Sequence, residues 1–145
     1  MRINYCDDED RPGQFALWDA NCQRSLRGRA GQAALRDLEA ALLALPQKRL
    51  IRGLLVSDDG ADVCAVGAYA RYKGEDIAKH VPYASDDVAI ACGMPRLVAW
   101  KVVALNDFEI DDHYVTGQRV TYTPEERYIK VLAWVREQLK TKRLR

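Results

Sequence analysis

Two apolar patterns of helical period meet across a joint of only three residues, and this limits the fold more than any other feature of the chain. From Gln14 to Arg27, Phe15, Trp18, Cys22 and Leu26 recur at three- and four-residue spacing, with Asp19, Gln23, Arg24 and Arg27 elsewhere on the wheel. From Gly31 to Leu45 a second stripe, Leu35, Leu38, Leu42 and Leu45, is broadened by Ala34 and Ala41 and stopped by Pro46. Helices joined so closely must be antiparallel neighbours or a bent pair. Gly28 suits the position just past the first helix, where a left-handed conformation closes the turn.

Further along, Arg49–Val56 and Val63–Val66 are apolar and partly β-branched around Asp58-Asp59-Gly60, the pattern of a hairpin. Gly67–Lys73 fits an extension of the second strand or a short helix. Asp86-Asp87 offers a cap for a short helix over Val88–Cys92, and Pro95 suits the first turn of one reaching Leu105. Asn106–Tyr122 is polar, contains Gly117 and two β-prone fragments, and reads as a long loop or an irregular hairpin. Thr123, Pro124 and Glu126 then form the cap, first position and capping box of a helix to about Lys140. Its apolar set is Tyr128, Ile129, Leu132, Val135 and Leu139, with Trp134 beside it. The expected fold is α+β and mostly helical: amphipathic helices packed with a small antiparallel β-hairpin in one domain, residues 1–145, with mobile ends at 1–10 and 141–145.

No apolar run approaches the roughly 20 residues that a bilayer span requires. Four separated cysteines without a C-x-x-C pair, and a start that lacks a signal-like apolar run, point to a reduced, cytoplasmic protein. With 22 basic against 21 acidic residues the net charge is +1, so the whole-molecule field does not point to nucleic acid. The charges are nonetheless segregated. Asp7, Asp8, Glu9 and Asp10 form an acidic head, while Arg136, Lys140, Lys142, Arg143 and Arg145 make the other end basic.

The joint between the first two helices is the leading candidate site. Arg24, Arg27 and Arg29 lie beside the start of a helix, where unpaired N–H groups and a partial positive charge favour anions. Neither a P-loop nor a dinucleotide glycine motif is present, so the joint fits a partner's carboxylates better than a nucleotide. A second candidate, Asp107, Glu109, Asp111, Asp112 and His113, supplies oxygens of the kind that hard divalent cations prefer. It lacks the central glycine and the distal glutamate of an EF-hand. Zinc is disfavoured, because Cys6, Cys22, Cys64, Cys92, His80 and His113 contain no closely spaced ligand pair. No nucleophile elbow accompanies the two histidines, and no cofactor is implied. Tyr69, Arg71, Tyr72 and Lys73 have the residue types of a base-stacking platform, but the three tryptophans fall at core positions of helices.

The segments Arg49-Leu50-Ile51, Val63-Cys64-Ala65-Val66-Gly67-Ala68, Asn106-Asp107 and Thr123-Pro124-Glu125-Glu126-Arg127 resemble, in type and order, those of a group of small, uncharacterised bacteriophage and prophage proteins. The resemblance spans most of the chain. The stretch Val115–Tyr122 is longer than the group's pattern. The resemblance implies a phage or prophage protein in the host cytoplasm that binds and blocks a host factor, including a host defence complex, and it transfers no catalytic residue. The resulting expectation is a non-catalytic binding protein for a host protein or nucleoprotein complex, with the arginine joint (Arg24, Arg27, Arg29) and the acidic loop (Asp107, Glu109, Asp111, Asp112) as its contact surfaces. Two alternatives remain: a weak nucleic-acid binder using Arg24, Arg27, Arg29 and the basic C-terminal end, and a metal-dependent hydrolase at Asp107–His113.

Overall fold

The computed structural model describes residues 12–79, 85–108, 113–115 and 118–143. Both predicted terminal arms, residues 1–10 and all but three residues of 141–145, lie outside that set, as do His80, Glu109, Asp111 and Asp112. Among the described residues six α-helices carry the fold: α1 (Pro12–Arg27), α2 (Arg29–Ala44), α3 (Ala65–Tyr72), α4 (Ser85–Ala91), α5 (Arg96–Asp107) and α6 (Pro124–Arg143). A 3-10 turn, Ile77–Lys79, follows α3. None of the described helices is long and apolar enough to cross a membrane.

The leucine stripe of α2 explains its central place. Leu35, Leu38 and Leu42 are fully buried, and α2 packs against α1, α3 and α6. Burying each such side chain contributes roughly 1.5–3 kcal/mol. On the α6 side the Tyr128 hydroxyl donates to the Leu42 carbonyl at 3.0 Å, and Arg136 Nε reaches Glu39 Oε2 at 3.0 Å, so the two helices run in opposite directions. Val66 and Tyr69 of α3, Val98 and Val102 of α5, and Val131 and Val135 of α6 complete the main core with Leu50 and Leu55. A smaller cluster of Trp18, Cys22, Trp100 and Ala104 joins α1 to α5. At its edge the nearly buried Lys101 ammonium meets Asp19 at 3.1 Å and lies 5.7 Å from the Trp18 ring centre.

The expected α+β class is corrected: the packed body is helical. Where a hairpin over Arg49–Val56 and Val63–Val66 was expected, only an isolated bridge forms, Val56 opposite Val63. The turn itself is real. Ser57 N–H donates to the Asp62 carbonyl at 2.8 Å, and Cys64 N–H to the Leu55 carbonyl at 3.2 Å. The chain then coils into α3 instead of continuing as a strand. Small residues allow this, since a Cβ on Gly67 would stand 2.4 Å from the Leu55 carbonyl oxygen. Residues 65–70 of α3 are all buried, and such a continuous apolar run does not by itself tell a short helix from a buried strand. Among the described residues strand pairing is confined to a ribbon of three residues a side, His113–Val115 against Gln118–Val120, inside the stretch expected as a long loop or irregular hairpin.

The element ends differ in smaller ways. α4 starts at Ser85, α5 continues to Asp107 with Pro95 as its cap, and α6 runs three residues past Lys140. The Thr123 capping box is formed in both directions, at 3.0 and 3.2 Å.

Candidate interaction surface at the arginine elbow

Gly28 is not left-handed. Its φ of −71° and ψ of 168° make it the extended cap of α2, one residue after α1 ends. The glycine that the elbow requires is Gly31, whose added Cβ would fall 1.9 Å from the Ser25 carbonyl oxygen. The backbone of α2 therefore lies directly on the last turns of α1. Gln32, nearly fully buried, turns its Nε2 back to the Leu26 carbonyl at 2.8 Å and satisfies an acceptor that the end of α1 would otherwise leave open. Gly28 N–H to Ser25 O, 3.2 Å, and Gln32 N–H to Gly28 O, 2.9 Å, close the joint.

Arg24, Arg27 and Arg29 project from this braced elbow, and all three are exposed. Arg24 reaches the Asn21 side chain at 3.5 Å, a marginal hydrogen bond. Among the described residues none of the three is in an ion pair. The α2 cap makes no side-chain hydrogen bond, and the first turn of α2 contains no acidic residue. The surface is thus cationic, without an ion-paired partner among the described residues, and held by packed backbone.

Asp107 serves the fold. Its Oδ1 accepts from Gly53 N–H at 3.0 Å and from Asn106 Nδ2 at 2.8 Å, tying the end of α5 to the segment after α2. Of the other acidic candidates Glu109, Asp111 and Asp112 lie outside the described residues, and His113 is placed only as the first residue of the ribbon. The described residues contain no group of three potential metal ligands.

Beside Asp107 lies a polar hub that motif spacing alone does not show. Asn106 is 1% exposed and Arg127 2%. Asn106 Oδ1 accepts from Ala65 N–H at 3.1 Å, where α3 begins, and its Nδ2 donates to the Ile51 carbonyl at 2.9 Å. The Arg127 guanidinium donates to the Asn106 carbonyl and, at 3.4 Å, to that of Tyr122. Leu50 N–H reaches the Pro124 carbonyl at 3.0 Å. The four segments Arg49–Ile51, Val63–Ala68, Asn106–Asp107 and Thr123–Arg127 therefore meet around one asparagine. Their order along the chain was visible in the sequence, but their convergence was not.

The remaining candidates are separated by the fold. Cys22 sits in the tryptophan cluster and Cys64 in the main core. Burial pushes the Cys64 thiol up to about 12, so it is neutral at ordinary pH and a poor nucleophile. Of the proposed stacking residues, Tyr69 is buried and donates to the Cys92 carbonyl at 3.4 Å, while Arg71 donates to the Gly60 carbonyl at 2.9 Å. Lys73 is paired with Asp37 at 2.6 Å. Tyr72 alone of the four is both exposed and free of a described contact of this kind.

Comparison with protein-family models, with curated proteins and with solved structures finds no match to this chain.

Proposed function

We propose that this chain is a non-catalytic binding protein, of the phage or prophage type its motifs resemble, that modulates or inhibits a host protein or nucleoprotein complex. The arginine elbow carries this reading: three exposed guanidinium groups, unpaired among the described residues, on backbone locked by Gly31 and Gln32. Arginine suits such a role because its planar fork grips carboxylates bidentately, and a preset backbone avoids the cost of ordering a loop on binding. Residues with chemical potential elsewhere are committed to the fold: Cys64 to the core, Asp107 and Asn106 to the hub.

A photo-crosslinking residue in place of the exposed Ala30, introduced in bacterial host cells, tests the proposal. The expected result is a discrete crosslinked product that disappears when Arg27→Glu and Arg29→Glu are combined. A product that is indifferent to charge reversal, or no product, removes the elbow from function.

A further inference from the structure

Helix α1 has two unlike faces. Trp18, Cys22 and Leu26 are buried, and on the opposite side of the wheel Leu17, Ala20, Arg24 and Arg27 are all exposed. Leu17 is 61% exposed, among the most exposed large apolar side chains described. It lies seven residues before Arg24, two turns along the same stripe and roughly 10 Å up the axis. Neither Arg24 nor Arg27 has an acidic partner among the described residues.

We infer that this outer face of α1 seats an acidic, partly apolar protein segment whose carboxylates meet Arg24 and Arg27 and whose apolar side chain covers Leu17. The inference rests on the binding role proposed above and gives that role a partner chemistry. Charge complementarity selects the occupant: two guanidinium groups one turn apart, unpaired among the described residues, call for two carboxylates at matching spacing. Leu17 discriminates against nucleic acid, because a phosphate backbone offers nothing apolar to set against it. Arg136, moreover, is held by Glu39 at 3.0 Å, and the chain's net charge is only +1, which does not favour a polyanion.

Fluorescence anisotropy with the full chain tests this with three labelled probes. These are a helical peptide bearing two glutamates one turn apart and a leucine two turns from them, the same peptide with serine for leucine, and a short DNA duplex. The first peptide is expected to bind, and the serine peptide to bind at least about tenfold more weakly, the factor that burial of one leucine supplies. Leu17→Ser in the protein should cost the first peptide a similar factor, and Arg24→Glu with Arg27→Glu should abolish its binding. Because these side chains are exposed, thermal melts of the variants should overlay the wild type. Binding of the duplex but not the peptide overturns the inference and leaves the elbow as an anion contact. Equal binding of the two peptides, or binding of neither, also overturns it. The crosslink at Ala30 reads the elbow without reference to Leu17, so the two failures are distinguishable.

Discussion

The Arg127 guanidinium is buried against the main-chain carbonyl of Asn106, joining the first turn of α6 to the last turn of α5. Asn106 in turn spends its side chain on Ala65 and Ile51, so neither residue can be replaced without orphaning a partner inside the protein. Asn106→Leu is expected to destabilise the chain by about 3 kcal/mol, since an unsatisfied buried donor or acceptor costs ~1–3 kcal/mol each. Urea denaturation measures this. Asn106→Asp should fall between, because its Oδ can still accept from Ala65 while the donor to Ile51 is lost and a carboxylate is placed beside Asp107.

The elbow predicts opposite outcomes at two neighbouring glycines. Gly31→Ala drives a methyl group to within 1.9 Å of the Ser25 carbonyl oxygen and must part α1 from α2. The loss should be about 1–3 kcal/mol, the usual cost of overpacking. Gly28→Ala meets nothing closer than 3.5 Å, at a φ that any residue adopts, and should change stability little. Calorimetric melts of the two variants provide the comparison.

Asp59 links stability to acid pH. Its carboxylate accepts from the Ser57 hydroxyl and the Ala61 N–H, which holds it below the usual aspartate range. A depressed folded value favours the folded state above the unfolded pKa of about 3.9, and this advantage is lost as pH falls through the lower folded value. Asp59→Asn should therefore flatten the acid limb of the stability curve below about pH 4. Thermal melts across that range would show an unchanged slope if Asp59 is not involved.

Cys64 acts at the other end of the scale. Its folded thiol stands near 12, chiefly through burial, above the free value of about 8.5. Its contribution is thus fully present below pH 8.5 or so and lost as pH rises toward 12, so Cys64→Ala should be less sensitive to alkali than the wild type. In mass-mapped thiol labelling of the native protein, Cys64 and the buried Cys22 should stay unmodified until the chain unfolds, whereas the partly exposed Cys92 should react earlier.

Much of the helical body was legible because its apolar residues repeat with the helical period. The leucine stripe of α2 and the capping box of α6 gave both elements to within a few residues. α3 was legible only as one of two readings, a short helix or a strand extension, since a run of consecutive apolar residues fits either and the β-branched residues before it favoured a strand. Three arginines beside a helix start marked the elbow, but the conformational role fell on Gly31 instead of Gly28. That difference depends on how closely two backbones approach, which only the packed structure determines. The hub was hidden for a related reason: its partners are 41, 55 and 21 residues apart in sequence.

Those separations bear on how the chain acquires its fold as it is made. Ile51 and Ala65 wait for Asn106 to be made, and the Asn106 carbonyl stays without its guanidinium partner while the segment containing Arg127 is still inside the ribosome. The α1–α2 elbow, by contrast, is built from contacts a few residues apart and can form early. A nascent chain stalled before residue 127 should therefore present an ordered α1–α2 elbow on a body still open to proteases.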